Sequence, residues 1–254
     1  MLSAMLSADL YKWLMIFARL GAGAMLLPGL SSTMVAVRMR LLFALMLSFV
    51  LLPVLGPRLP PPPSQPLALF LLLAGEATIG VFIGVLTQTM LAALDQAGNS
   101  LGYAAGLTNM FIFDPISQQQ SQLITGFLNL LGITLILASD AHHLMLRALV
   151  DSYDLVGPGQ PLPGDDLAHT LVRTLSASAL MGLRLAAPLL VFSITFNSAL
   201  ALLNRLVPQI QVFFVGLPIQ IIGGLVMLMV CLPAIMLLFV DQLVQALGAL
   251  LNFG

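Results

Sequence analysis

The chain has 254 residues, of which 59% are hydrophobic and 7% charged, with a formal net charge of −1. A soluble domain carries about 25% charged residues, so this chain cannot solvate its own surface and reads as an all-α integral membrane protein. The charge balance leaves no broad basic face for nucleic acid, and a lone cysteine, Cys231, excludes an internal disulfide.

A spanning helix needs about 20 mainly apolar residues. The first candidate runs from Leu10 to Leu27 and closes at Pro28-Gly29. Ala22-Gly23-Ala24 has the look of a signal-cleavage site, but no basic region precedes the apolar run and Arg19 interrupts it. The stretch therefore reads as an uncleaved first helix. A basic loop with Arg38 and Arg40 leads to a second candidate, Leu41 to Leu55. A proline-rich stretch follows, from Pro57 through Pro60, Pro61, Pro62 and Pro63 to Pro66, and predicts a stiff extended spacer. The third candidate is Leu67 to Leu94, carrying Glu76.

The segment from Asp95 to Gln122 is of another kind. It reads DQAGNSLGYAAGLTNMFIFDPISQQQSQ and contains no Lys or Arg. Three glycines at four-residue spacing, Gly98, Gly102 and Gly106, suit close packing of one helix on another. A Phe111-Ile112-Phe113-Asp114-Pro115 turn and the run Gln118-Gln119-Gln120 follow. The segment is too polar for lipid and too apolar for a solvated loop, so it should line a cavity or pack on a partner. Met110 and the three residues after it are bulky enough to close a pore by excluding water, or to anchor the segment on a neighbour.

A fourth apolar stretch runs from Leu123 to about Leu137 and continues, more polar, to Val150. Gly157-Pro158-Gly159 and Pro161 to Asp166 form an acidic, surface-like loop. Leu167 to Leu206 is then apolar without a stop. As one helix it would be about 60 Å long, twice a bilayer core, so it should project beyond the membrane or bend at Pro188. A break from Arg205 to Pro218 precedes the last apolar stretch, Ile219 to Leu251. Arginines mark the loops at Arg38-Arg40 and Arg205 as cytoplasmic, and the acidic loop as external. Six spans with both termini outside satisfy those assignments.

Charged side chains inside apolar stretches normally face protein or water. Arg19, Glu76, Arg184 and Asp241 are therefore expected to be buried, with Arg19 and Glu76 a possible pair. Asp140, His142 and His143 have the composition of metal ligands, but not the spacing of a His-Glu-x-x-His zinc helix. They read as interfacial residues at a helix end, and no metal or cofactor site is assigned. Ser193, Thr195 and Ser198 lack the base and acid of a nucleophilic triad. No glycine-rich phosphate loop is present. No enzymatic activity is expected.

The stretches GLTNMFIFDPISQQQSQL and GLRLAAPLLVFSITFNSALALLNRLVPQIQVFFVGLP, with VRMRL after the first helix, resemble the FliR family of flagellar and type III secretion export-gate proteins. The likeness covers nearly the whole chain. Gln211 departs from the asparagine usual in that run, and the proline run is a local elaboration. The resemblance implies long, kinked helices and hairpins that pack, with FliP-like and FliQ-like membrane proteins, into a hetero-oligomeric helical export gate. FlhA-like and FlhB-like proteins, unfolded export substrates and membrane lipid are its further implied partners. The implied location is the bacterial inner membrane, at the flagellar basal body. It further implies a FliP-like part over residues 1–156 with a plug segment at 102–122, an acidic linker at 157–166, and a FliQ-like hairpin over 167–254. On that reading Met110, Phe111, Ile112, Phe113, Asp114 and Pro115 close the pore, and Gln118, Gln119 and Gln120 shape its wall. Arg205, Pro208, Gln209, Phe213, Gly216 and Pro218 turn the C-terminal hairpin at its cytoplasmic end. The alternative from another class is a secondary transporter working through Glu76 and Asp95 in a six-helix bundle.

Overall fold

A computed structural model describes residues 2–31, 35–106, 121–160, 164–206 and 212–251. Among these residues there is no strand. The elements are α1 (Leu2–Leu26), α2 (Val37–Leu55), a 3-10 turn (Gly56–Arg58), α3 (Pro66–Ala104), α4 (Ser121–Ala138), α5 (Ala141–Leu155), α6 (Gly164–Leu206) and α7 (Val212–Leu251).

The helix boundaries follow from local chemistry. Pro66 belongs to the expected spacer, yet it is the first residue of α3. The first turn of a helix has no use for the N–H that proline lacks, and its fixed φ suits that position. Pro53 lies two residues before the end of α2, so the helix loses little by it. Asp165 and Asp166 are not loop residues but form the first turn of α6, where carboxylates favour the helix N-terminus. Asp140 interrupts the fourth apolar stretch. Its φ of 57° breaks the helix between α4 and α5.

The 43 residues of α6 form one helix through Pro188, and α7 runs 40 residues through Pro218 and Pro233. The connection between them is narrower than the Arg205–Pro218 turn read from sequence. Arg205 closes the last turn of α6, whereas Phe213, Gly216 and Pro218 lie inside α7. A few residues suffice to join two antiparallel helices.

Six spans were expected. Among the described residues, four helices are long and apolar enough to cross a membrane: residues 37–58, 66–104, 164–206 and 216–248. The broken pair α4 and α5 makes a fifth if counted as one span. Helix α1, with Asp9, Lys12 and Arg19 along it, is not among them.

The chain forms two compact units, and α3, α6 and α7 are each divided between them. The first comprises residues 1–89, 139–174 and 244–254. Its core holds Met15, Ile16 and Leu20 of α1, Ile79 and Leu86 of α3, and Met145 and Leu149 of α5, all buried. Helices α1 and α3 meet backbone to backbone. A Cβ on Gly80 would stand 2.0 Å from the Arg19 carbonyl oxygen, and one on Gly84 would stand 3.1 Å from that of Gly23.

The second unit comprises residues 90–138 and 175–243. Leu94, Ala97 and Leu101 of α3, Leu128 of α4, Leu185 and Leu189 of α6 and Phe239 of α7 are buried in it. In this unit α6 and α7 run antiparallel. Gly216 packs on Leu200 and Gly223 on Phe192, so contacts advance along one helix as they retreat along the other.

Candidate functional site

The unusual segment begins as helix. α3 continues past Leu94 for ten residues, and this extension is where α4, α6 and α7 converge within the second unit. Asp95 and Asn99, one turn apart on α3, face Asn129 and Thr125, one turn apart on α4. Asn129 Nδ2 donates to Asp95 Oδ1. Thr125 Oγ1 donates to Asn99 Oδ1 at 3.1 Å. Two side-chain hydrogen bonds, one part-buried and one exposed, thus join α3 to α4.

Small residues bring the backbones together. A Cβ on Gly98 would lie 2.6 Å from Thr125 Cα, and one on Gly182 of α6 would lie 3.0 Å from the Ala93 carbonyl oxygen. One on Gly224 of α7 would lie 2.7 Å from Ala105 Cα. Gly98 meets α4 closely, and Gly102 is buried. Gly106 differs from the expectation: it is not on the helix face but ends the helix. Its φ is 77°, and its N–H donates to the Tyr103 carbonyl at 3.0 Å. A left-handed glycine just past the last turn closes a helix without the Cβ penalty that other residues carry.

Sequence reasoning missed Gln220. This side chain of α7 is buried, and its Nε2 donates to the Ala104 carbonyl at 3.4 Å. Its amide packs against Gly106. It satisfies a carbonyl that the end of α3 leaves without a helical partner. The available signal was a single amide in a run of apolar residues, one turn before Gly224. The α3 terminus is thus fixed where the chain passes into residues 107–120. The expected plug (Met110, Phe111, Ile112, Phe113, Asp114, Pro115) and wall (Gln118, Gln119, Gln120) lie outside the described residues, as do Pro208 and Gln209.

Gly106→Ala should destabilise the isolated chain by about 1–2 kcal/mol, the ordinary cost of a left-handed conformation for an L-residue. Gly106→Asn should cost less, because asparagine tolerates that region. Thermal unfolding of the two variants in detergent, side by side, checks this order.

In the first unit Arg19 and Glu76 form a buried ion pair, with Nε to Oε2 at 2.7 Å and exposures of 0% and 1%. The guanidinium fork also donates to the carbonyls of Ser152, at 3.0 Å, and Val156, at 3.1 Å. It lies 4.0 Å above the ring of Tyr153. Glu76 Oε1 accepts the N–H of Gly159 at 3.3 Å. One cation therefore neutralises a carboxylate from α3 and satisfies the carbonyl end of α5, where the helix dipole favours positive charge.

Burial does not extend to the other two charges. Arg184 and Asp241 are exposed. Cys231 is half-buried. Thr195 back-bonds to the Val191 carbonyl at 2.8 Å, as a helical threonine does. A cavity of about 440 Å³ in the first unit is lined mainly by apolar groups such as Ile79, Phe82 and Leu86, with Arg173 and Asp166 also on its wall. Asp140, His142 and His143 come together at the start of α5, with ligand atoms within 4.8 Å of one another.

The profile of the family described as bacterial export proteins, family 1, matches residues 10–246. The flagellar biosynthetic protein FliR of Caulobacter vibrioides is 34% identical over 234 residues, covering 92% of this chain and 93% of its own. The Escherichia coli FliR is 31% identical, covering 89% and 85%. The Bacillus subtilis FliR is 29% identical, covering 89% and 88%. The family profile reaches into every helix described above, and a helical chain with apolar spans fits it, so the chain belongs to family 1 of the bacterial export proteins, the FliR family.

Proposed function

We propose that this chain is a subunit of the flagellar type III export gate in the bacterial inner membrane, at the flagellar basal body. It joins FliP-like and FliQ-like proteins to form the channel through which unfolded flagellar proteins leave, with FlhA-like and FlhB-like proteins docking at the cytoplasmic side. The observation that carries this reading is the family match over nearly the whole length. Exposed apolar side chains on the long helices support it, among them Phe49 and Val50 of α2 and Ile222, Met229 and Val230 of α7. Such surfaces require lipid or other chains. On this reading residues 1–156 act as the FliP-like part, 157–166 as linker and 167–254 as the FliQ-like hairpin.

The plug role of residues 102–122 belongs to the same proposal. The fixed end of α3 supports it, since a closure must hang from something that does not move. Arg19 and the Gly159 N–H occupy both oxygens of Glu76, which weighs against a transporter that uses Glu76 as a proton carrier.

Co-expression with the FliP-like and FliQ-like proteins of the same organism tests the assignment. The chain should co-purify with both in one assembly, and its mass gives the composition. A chain that purifies alone as a stable monomer or small homo-oligomer rejects the gate. In the assembled gate, deletion of Met110 to Asp114 should raise ion leakage severalfold across a liposome membrane. An unchanged leak removes the plug role while leaving the gate assignment intact. Crosslinking of Phe111 to a stalled export substrate separates a pore-lining subunit from a scaffold remote from the channel.

A further inference from the structure

We infer that Asp140, His142 and His143 form a binding site for a divalent cation of the zinc class. The three lie in the first unit, and each offers one ligand atom within 4.8 Å of the others. Zinc bonds to imidazole nitrogen and carboxylate oxygen at about 2.0–2.2 Å, so a modest rotation of the exposed Asp140 and His143 side chains closes the three around one ion. Two imidazoles and a carboxylate are a borderline donor set, suited to zinc rather than to calcium or magnesium. Three protein ligands leave a fourth position for water.

Three local features point to a ligand rather than to helix capping. Asp140 stands where an N-cap residue stands, yet its side chain makes no capping hydrogen bond. Its backbone is left-handed, at φ 57°, whereas an N-cap normally lies in the β region. It is the one residue other than glycine with positive φ among those described. Its carbonyl, not its carboxylate, takes the first helical N–H, that of His143 at 3.0 Å, so the carboxylate is left for another partner.

The rings of His142 and His143 meet edge to face with centroids 4.1 Å apart. Nδ1 of His142 is buried without a hydrogen-bond partner. A buried ring nitrogen with no partner is costly, and a metal ion supplies the missing electron-pair acceptor.

The test uses the full chain, purified in detergent through a histidine-free tag and stripped with a chelator. It is then dialysed against buffered Zn²⁺, and bound zinc is counted by mass spectrometry. The wild-type chain should hold about one ion, as expected for a single three-ligand site. His169→Ala, which removes the histidine outside the cluster, should hold the same. His142→Ala and His143→Ala should each weaken binding at least about tenfold, the scale of losing a group that holds a zinc site together. Co²⁺ in place of Zn²⁺ should give the visible absorption of a low-coordinate site in the wild type and in His169→Ala, and lose it in both cluster variants. No zinc above background in the wild type overturns the inference. So does full binding by both cluster variants, or binding lost only in His169→Ala. Should His142→Ala lose helicity by circular dichroism, the exposed His143→Ala decides the matter.

Discussion

Arg19→Ala is expected to be the most damaging single substitution in this chain, at about 3–5 kcal/mol, the range for breaking a buried ion pair by removing one partner. Truncation leaves the Glu76 carboxylate buried with, among the described residues, only the Gly159 N–H as partner. It also strips the carbonyls of Ser152 and Val156 of the donors that close α5. Glu76→Ala should cost somewhat less. Arg19 would then keep both carbonyls and the Tyr153 ring, but its charge would be uncompensated. Arg19→Lys should recover little, since a point charge cannot reach three acceptors as the fork does. A paired replacement by methionine removes both charges and should be milder than Arg19→Ala, although the carbonyls remain unsatisfied. Thermal unfolding of the four variants in detergent gives the order. A loss below about 1 kcal/mol for Arg19→Ala, the worth of an ordinary surface pair, would remove this cluster from the account of stability.

Between Gly75 and Gly80, five residues apart on α3, the sign of a glycine-to-alanine change should invert. At Gly80 the new methyl would stand 2.0 Å from the Arg19 carbonyl oxygen, 2.9 Å from its carbon and 3.0 Å from the Gly23 nitrogen. All three are backbone atoms, so no side chain can rotate away. Helix α1 must lift off α3 and carry Arg19 from Glu76. We expect a loss of about 3 kcal/mol or more, at the upper end of overpacking costs. At Gly75 nothing lies within 4 Å of the added Cβ. There Ala should stabilise the helix by about 0.5–1 kcal/mol, because glycine pays more backbone entropy on folding. Opposite shifts in melting temperature for the two variants check the contrast. Equal shifts would mean that the α1–α3 crossing is looser than described.

Several features were legible from residue chemistry because they depend on near neighbours. The helical class followed from composition, and the end of α1 was marked by Pro28-Gly29, whereas α3 runs on past the change of character near Asp95 to Ala104. The resemblance to the export family rested on the Phe-Asp-Pro and Arg205–Pro218 stretches, and the family match spans both. The Arg19–Glu76 pair was visible as a possibility, since two opposite charges in apolar runs have few alternatives to each other.

Other features needed distances between residues far apart in the chain. Gly98 and Gly106 share a spacing, yet one touches α4 and the other ends the helix; the difference is a backbone angle, which spacing does not encode. Arg184 and Asp241 looked like Arg19 and Glu76 in one dimension. Only the packing of α6 and α7 leaves the first two exposed. Gln220 gains its meaning from Ala104, 116 residues away, and the metal-like cluster from a left-handed turn at Asp140.

The sequence by itself set the segment beginning at Asp95 apart as one expected to be neither lipid-facing nor solvated, because hydropathy is a property of the residues present. The tertiary structure decided that its first ten residues are helix. It also decided that α4, α6 and α7 hold the helix through Gly98, Gly182 and Gly224, because close backbone approach depends on which helices meet there.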